Sequence, residues 1–589
     1  MSEERPVEVA PSNVRADEMG ATQLVGLTGM GLAALGAIVV VANQFGPRVL
    51  TAGAGYLLAA FGLVAMFYHA LRDSSLEIRR AYLFFGAGLV LLAIVSAIVP
   101  GPLFGEVKDK QPGYHFLPWS PLFGFLGLVF LVTPLRHETD SNVLRYGLTA
   151  LLAVGGTLSI GAVGFGIAKP DTLVGPGILM GILGLGFLAA FLSLVETADG
   201  PGHLVASMLG LLGAGALLYA FGRSVFPTVL FEGPQALKNA YQSFDTWKVL
   251  ARAGIVLVFA GLGGWGARNK NWPGWLRAGF AVVGLGFAAV FVVAATTPVA
   301  LESPKPFFVP NGLLLAALGL VYLAVSVGIV SDSPFVAMTR RELAGYFYSP
   351  IAYIVLLGMA VIQFVGYWLF LSLVVRTGAT GARSFPEPIL QAFVPGTFIG
   401  PIAVIFLVPA LTMRLFSEER RSGTMEVLIT APVNEWQIVL SKFFGSWFFY
   451  MLTWVPMGLY LLGLRFEGGA SFDYRPLLGL YIAIGVTGFG FIAMGLFFSS
   501  LTKNQIIAAV LTFMAMLLML ALYWNSYFAR VGEGFIRELM NALAIGSYWT
   551  TWETAAGGQL PVRDLVLHGS LAVFWLFLTV KSLETRKWG

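Results

Sequence analysis

The sequence predicts an all-α polytopic membrane protein. Of its 589 residues, 57% are hydrophobic and only 11% are charged, whereas a soluble domain carries about 25% charged residues. The mean hydropathy is +0.79. Apolar runs of 18 or more residues recur along the whole chain, and about 18 such residues form a helix long enough to cross a bilayer. These three observations exclude a soluble globular protein.

About sixteen apolar runs qualify as transmembrane helices. Ten precede residue 331, near 24–42, 50–70, 81–99, 119–135, 144–168, 173–195, 203–222, 249–266, 276–295 and 311–330. Six follow it, near 350–373, 395–413, 437–463, 477–499, 505–524 and 564–582. An even number of spans places both termini on the same side of the membrane.

Basic residues orient the spans. With the N-terminus inside, the inner loops of the first ten spans hold ten Lys and Arg residues, against eight in the longer outer loops. Cytoplasmic loops are enriched in Lys and Arg, so the bias predicts cytoplasmic termini. The formal net charge of +5 therefore reflects topology and does not indicate nucleic-acid binding.

The first half contains a candidate internal repeat. The strings GYLLAAFGL, GILMGILGL and GLLLAALGL begin at Gly55, Gly177 and Gly312, and each places two glycines seven residues apart. They fall on the second, sixth and tenth predicted spans, as expected for a repeated four-span unit followed by a final hairpin. A chance likeness between helices rich in Gly and Leu explains the strings equally well, so both interpretations stay open.

Residues 331–349 are too polar to span the membrane and predict an interfacial helix, which we call the elbow helix. Its apolar residues share one side of the helix, namely Val336, Leu343 and Phe347. Arg340 and Arg341 are then available to phospholipid headgroups. We place the domain boundary here, between an N-terminal membrane domain of about ten spans (1–330) and a six-span domain (331–589).

The longest polar stretch of the second domain, residues 413–437, separates two spans. Ser417 is positioned to cap a short helix whose first turn contains acidic residues, and Gly423 to end it. Thr424 then caps a second short helix that presents apolar side chains on one face. Such a helix lying across the bilayer surface suits docking to a partner.

The next span has a start signal of its own. Asn434, followed three residues later by Gln437, predicts a capping box.

The string FSEERRSGTMEVLITAPVNEWQ resembles the coupling segment of ABC-2 type permeases. Eight residues match that family's pattern, namely Glu419, Arg420, Gly423, Thr424, Glu426, Leu428, Thr430 and Pro432. Further similar strings are RRELAGYFYSPIAYIV, SSLTKNQIIAAVLTF and GGQLPVRDLV. The resemblance covers about residues 335–589 and is strongest to the gliding-motility and nitrous-oxide-reductase-maturation types. The ten preceding spans depart from the family's length, and their role stays open.

The resemblance implies a permease subunit driven by a separate ATPase. In this family the coupling segment enters a groove of the ATPase, which predicts polar contacts from Glu418, Glu419, Arg420 and Glu426 and apolar contacts from Met425 and Leu428. Two ATPase copies and a second permease copy, or a related permease, are implied as partners, with an auxiliary subunit a further option. The implied location is the bacterial inner membrane and the implied direction is export of an unknown substrate.

The sequence lacks the residues that an ATP-binding P-loop or a metal site would need. A P-loop needs a Gly-Lys pair, and no lysine here follows a glycine. We therefore expect a non-enzymatic chain with ATP and Mg²⁺ bound by the partner ATPase. With zero cysteines, and five scattered histidines (His69, His115, His137, His203 and His568), no metal or cofactor site is predicted. Interfacial roles are expected for these histidines.

Two other functions remain as alternatives. An ion-coupled secondary transporter needs carboxylates in midspan, and the predicted spans contain none at their centres. A membrane scaffold or mechanotransmitter moved by an ATPase has the same sequence features as a permease. Within the spans, Gln363 is a candidate functional group or a hydrogen-bonding partner of a neighbouring helix. Trp549 and Trp552 suit an aromatic belt at the outer interface.

Overall fold

The computed structural model describes most of the chain, and most of the described residues are helical. The described residues are 14–44, 50–72, 76–98, 119–168, 173, 177–197, 200–225, short pieces between 256 and 288, 312–379, 390, 393, 399–425, 433–467, 475–531, 534–544 and 546–587. No strand occurs among them. They divide into two compact units, residues 1–329 and 330–589.

The first unit contains eight helices with described bounds. They are α1 (Val14–Gln44), α2 (Ala52–Arg72), α3 (Leu76–Ile98), α4 (Trp119–Leu135), α5 (Ser141–Ala168), α6 (Ile178–Leu194), α7 (Pro201–Val225) and α8 (Leu313–Val330, whose last residue belongs to the second unit).

The second unit contains eleven. They are α9 (Pro334–Phe347), α10 (Pro350–Ala379), α11 (Ile399–Thr412), α12 (Ser417–Ser422), α13 (Glu435–Thr453), α14 (Val455–Glu467), α15 (Arg475–Leu501), α16 (Gln505–Val531), α17 (Gly534–Ala544), α18 (Tyr548–Ala556) and α19 (Val562–Lys587).

The all-α membrane fold is confirmed. Within the described residues, 12 helices are long and apolar enough to cross a membrane, and each corresponds to a predicted span. The predicted spans 119–135 and 173–195 are shorter apolar helices. The remaining two, 249–266 and 276–295, lie largely outside the described residues.

Glycines let the helices of the first unit approach closely. A Cβ built on Gly62 of α2 would lie 2.3 Å from the Ala33 amide nitrogen and 2.6 Å from the Gly29 carbonyl oxygen of α1. One heptad along, Gly36 and Gly55 face each other in the same way. Small residues at such crossings allow the close backbone contact on which helix association in lipid depends.

The same contact recurs in three further helix pairs. Mutually facing glycines join α3 to α4, α5 to α6, and α7 to α8, through Gly86 and Gly127, Gly155 and Gly184, and Gly213 and Gly319. The three helices that carry the repeated sequence strings, α2, α6 and α8, thus each use the second glycine of the string against the helix they pair with. Because α3 and α4 make the same contact without such a string, the repeat stays a prediction.

An ion pair joins the first turns of α3 to the turn that follows α4. Arg80 donates through Nε and Nη2 to the Glu138 carboxylate at 3.2 and 3.1 Å, and Nη2 also lies 3.4 Å from Asp140. The Glu138 side chain is 3% exposed. Its hydrogen bond to Arg80 lowers the pKa of the Glu138 carboxyl. The pair therefore stabilises the fold above the carboxyl's ordinary pKa and loses that contribution as the pH falls through the lowered value.

Two of the histidines expected at the membrane interface are buried between helices, and their depth in the membrane stays a prediction. His69 is buried, and its Nδ1 lies 2.9 Å from the Tyr82 hydroxyl. His568 is also buried, against the ring of Phe491. Both sit in helix packing, where the imidazole fills space between aromatic side chains. No group of three metal-ligating residues occurs in the described part of the chain.

The glycine contacts give a first test of the fold. We expect Gly62→Ala to lower the free energy of unfolding by about 1–3 kcal/mol, because the added methyl group meets backbone atoms. Gly31→Ala on α1 is the matched control, since a Cβ there meets nothing within 4 Å. Chemical unfolding in detergent micelles measures both. Equal stability of the two variants would contradict the close approach.

Candidate coupling site

The polar stretch between α11 and α13 contains a single short described helix, α12. Gly423 follows it in the left-handed conformation, with φ of 75°. The prediction that Gly423 ends this helix is confirmed. Residues with a Cβ avoid the left-handed conformation, which explains why a glycine stands here. The Thr424 hydroxyl lies 3.4 Å from the Glu419 carbonyl and 2.9 Å from the Ser422 hydroxyl. It thus contacts the end of α12. The second predicted short helix lies mostly outside the described residues.

The predicted cap of α12 is wrong. Ser417 lies inside the helix, and its hydroxyl donates back to the Met413 carbonyl. The cap comes from α15, where the Ser499 hydroxyl accepts from the amides of Phe416 and Ser417 at 3.1 and 3.2 Å. Ser499 also donates to Met413 at 3.1 Å. A side chain more than 80 residues away thus satisfies two amides at the start of the short helix.

A buried lysine joins α12 to the elbow helix α9. Lys442 of α13 is 3% exposed at its side chain, and its Nζ lies 2.6 Å from Glu419 of α12 and 3.1 Å from Glu342 of α9. The ammonium also lies 5.5 Å from the ring centroid of Phe416. We call Glu342, Lys442 and Glu419 the charge triad. A buried charge is costly unless paired, so the triad fixes three helices relative to one another.

A helix is present where the elbow helix is predicted. Its buried residue is Tyr346, and Leu343 and Phe347 of the predicted apolar side also pack against this unit. The Tyr346 ring stacks on Phe449 of α13 with centroids 4.6 Å apart. Burial raises the pKa of Tyr346 to about 12, so its hydroxyl stays protonated, 2.9 Å from both the Leu411 carbonyl and the Ser446 hydroxyl.

Gly445 makes the close packing of α9 on α13 possible. A Cβ there would lie 2.9 Å from the Glu342 Cβ.

The structure divides the predicted contact residues into two sets. Glu418, Gly423 and Thr424 are exposed, together with Arg421 and Ser422. Arg420 and Met425 are buried within the second unit itself, and Glu419 is paired with Lys442. The remaining predicted contacts, Glu426, Leu428, Thr430 and Pro432, lie outside the described residues.

The predicted headgroup residues Arg340 and Arg341 are both exposed on α9. Arg341 also lies 3.5 Å from Glu342.

The predicted capping box starts α13. Asn434 is extended, with φ of −78° and ψ of 149°, and its amide donates to the Gln437 side chain at 3.2 Å. From this start, α13 carries Lys442 near its N-terminal end and runs to Thr453. One continuous helix therefore connects the charge triad to the middle of the unit.

The span that begins with α13 is broken at Trp454, where α13 ends and α14 begins. Gln363 of α10 donates to the Thr453 carbonyl at 2.8 Å and accepts from the Met457 amide at 3.0 Å. The Tyr481 hydroxyl of α15 donates to the Trp454 carbonyl at 2.6 Å. Gln363 therefore bonds a neighbouring helix, the second of its two predicted roles. Backbone groups freed by a break in lipid need such partners.

The aromatic-belt interpretation of two tryptophans is wrong. Trp552 of α18 is 1% exposed, and its indole nitrogen donates to Thr487 at 3.0 Å. Trp549 is 4% exposed and stacks on Tyr523. The Trp552 ring packs edge-on against Trp454, with centroids 5.3 Å apart. The short helix α18 thus contacts the break itself.

Sequence reasoning missed Lys442. The signal was its position, since Lys442 is the only charged residue inside the predicted span 437–463. An ionisable residue within an apolar span indicates a partner or a function. Its two carboxylate partners, 23 and 100 residues away, were not identifiable from local patterns.

The charge triad predicts a specific pattern of stabilities. Lys442→Met leaves two carboxylates facing each other without a cation, so we expect the free energy of unfolding to fall by about 3–5 kcal/mol. Changing Glu342 and Glu419 to Gln in the same chain removes the uncompensated charge and should recover most of the loss. Unfolding in detergent measures the series. A Lys442→Met variant as stable as wild type would contradict the triad.

The broken span gives a second prediction. Gln363→Leu orphans two backbone groups and Tyr481→Phe orphans one, and each orphan costs about 1–3 kcal/mol. We therefore expect Gln363→Leu to lower the unfolding midpoint further than Tyr481→Phe does. Ser372→Ala on α10 is the control, because the Ser372 hydroxyl bonds only within its own helix. Indistinguishable midpoints for all three variants would contradict the bracing of the break.

Comparison with known proteins locates a family within this unit. Residues 375–543 match the model described as ABC-2 family transporter protein. The matched segment includes α12, Lys442, the break at Trp454 and Ser499. No curated protein and no solved structure matches the chain. The chain is therefore a multi-pass, all-α membrane protein whose C-terminal region carries an ABC-2 family transporter domain.

Proposed function

We propose that the chain is the permease subunit of an ABC transporter of the gliding-motility or nitrous-oxide-reductase-maturation type. A separate ATPase, in two copies, binds ATP and Mg²⁺ and drives export of a substrate. A second permease copy or a related permease completes the pore. The protein resides in the bacterial inner membrane with both termini in the cytoplasm.

One observation carries this proposal beyond the family match: the charge triad. A short helix that served only as a solvent-exposed connection between two spans would not need a buried cation beneath it. Lys442 holds α12 against α9 and against the long helix α13. A displacement of α12 by a partner is therefore passed to both helices, because separating either ion pair would leave a buried charge unpaired.

The exposed end of α12 supplies the docking surface. Glu418, Arg421, Ser422, Gly423 and Thr424 are exposed together, and we define them as the docking surface. Glu419, Arg420 and Met425 then act from beneath it, in place of the direct ATPase contacts expected from the family pattern. Docking and transmission thus belong to different side chains of one segment.

The route of transmission follows α13. Its inner end carries Lys442, and its outer end meets the break at Trp454, which contacts Trp552 of α18. Discontinuous helices in transporters commonly surround substrate sites near the bilayer midplane. In this proposal the break is where α13 and α14 change their mutual angle, with Gln363 and Tyr481 holding the freed backbone groups.

Affinity purification separates docking from transmission. When the wild-type chain is purified from native membranes in mild detergent, we expect a P-loop ATPase that hydrolyses ATP to co-purify with it. Glu418→Lys combined with Arg421→Glu reverses two exposed charges and should lose the ATPase while leaving stability unchanged. The charge-neutral variant Lys442→Met, Glu342→Gln and Glu419→Gln should keep the ATPase but lose the permease-dependent change in its rate.

The outcome of this purification distinguishes the permease from the two alternative functions. A well-folded wild-type chain that recovers no P-loop ATPase overturns the proposal and favours an ion-coupled transporter. Recovery of the ATPase with hydrolysis but no vesicle transport of any candidate solute favours the mechanotransmitter. Loss of the ATPase from the charge-neutral variant alone would place docking on the triad rather than on the exposed surface.

A further inference from the structure

The first unit contains a cavity of about 780 Å³ between α5, α6 and α7. It lies in the part of the chain that the family match does not cover. Small residues create the space, namely Ala153 and Gly156 on α5 and Gly215 and Ala216 on α7. A Cβ on Gly156 or on Gly215 would meet nothing within 4 Å.

The cavity wall is almost entirely apolar. Its described polar residues are Thr157, Ser159 and Tyr219. Two of these hydroxyls are already occupied, since Thr157 donates to Ala153 at 2.7 Å and Tyr219 to Ile167 at 3.4 Å. Water in a cavity needs two to four polar partners. The wall therefore suits a hydrocarbon rather than water.

The cavity is elongated along the membrane-crossing direction. On α5 it extends from Leu152 to Ile167, about 22 Å at 1.5 Å per residue, and on α7 it extends similarly, from Val205 to Tyr219. The hydrocarbon core of a bilayer is about 30 Å thick, so the cavity is longer than one leaflet is deep. A single extended chain fits this shape better than a compact molecule does.

The cavity opens sideways. Two lining residues, Ile160 and Met208, are 63% and 58% exposed, and both belong to helices that qualify as membrane spans. At this depth the surroundings are the acyl chains of the bilayer.

We propose that an acyl chain of a membrane phospholipid occupies the cavity between α5, α6 and α7 as a bound ligand of the first unit. The chain enters between Ile160 and Met208, lies along α5 and α7, and leaves the headgroup at the membrane surface. The first unit then has a lipid-binding function of its own, separate from the coupling site.

Photolabelling tests the proposal. The full-length protein is placed in nanodiscs of phosphatidylethanolamine and phosphatidylglycerol that contain a phosphatidylethanolamine with a diazirine on its acyl chain. After irradiation, mass spectrometry locates the label. We expect it to concentrate on the lining segments 152–167 and 205–219. Gly156→Leu combined with Gly215→Leu fills the cavity and should reduce this labelling to the level of the other lipid-facing helices.

The control is Gly164→Leu, on the exposed side of α5 and also free of contacts within 4 Å, which should leave the labelling unchanged. If the double variant does not fold, Gly156→Leu alone serves the same purpose. Even labelling of all spans, unchanged by cavity filling, would overturn the proposal. So would labelling by diazirine-bearing free palmitate that excess phospholipid does not displace, because the occupant would then be a free fatty acid.

Discussion

The second unit depends on one constraint, the need to pair a buried ammonium group. Lys442 lies 3.1 Å from Glu342 and 2.6 Å from Glu419, and neither carboxylate can move away without leaving charge in a medium that solvates it poorly. Hydrophobic packing alone would let α9, α12 and α13 slide past one another. The two ion pairs fix their register and make the three helices one mechanical element.

At the C-terminal end of α13, neutral side chains satisfy backbone groups that the helix break leaves without partners. Breaking a helix within the membrane frees carbonyl and amide groups that lipid cannot satisfy, and side chains from two neighbouring helices, Gln363 and Tyr481, bond them. Hydrogen bonds of this kind permit rearrangement at lower cost than an ion pair does. In the proposed mechanism the N-terminal end of α13 provides rigid attachment, and its C-terminal end allows a change of angle.

Local signals predicted part of this architecture. Hydropathy located the spans, Gly423 marked the end of α12, and the Asn434 and Gln437 pair marked the start of α13, because each effect acts within a few residues. The sequence did not reveal that Ser499 caps α12 or that Lys442 has two carboxylate partners. Those contacts join positions 23 to 100 residues apart, and only the packed fold brings them together. The aromatic-belt prediction for Trp552 was wrong for a related reason. The preference of tryptophan for the membrane interface applies to an exposed indole, and the indole of Trp552 is buried by packing.

The most direct test of the account is a distance measurement between α12 and α9 through the ATPase cycle. The chain has no native cysteine, so Ser422→Cys and Gly345→Cys, both at exposed positions, accept spin labels without background. Because Ser422 belongs to the docking surface, recovery of the ATPase by the labelled chain is the required control. With nucleotide trapped in the assembled complex, the account predicts an unchanged distance in the wild-type background and a broadened one in the charge-neutral triad variant. A wild-type distance that changes on trapping would show that α12 moves independently of the elbow helix and would contradict the central role of Lys442.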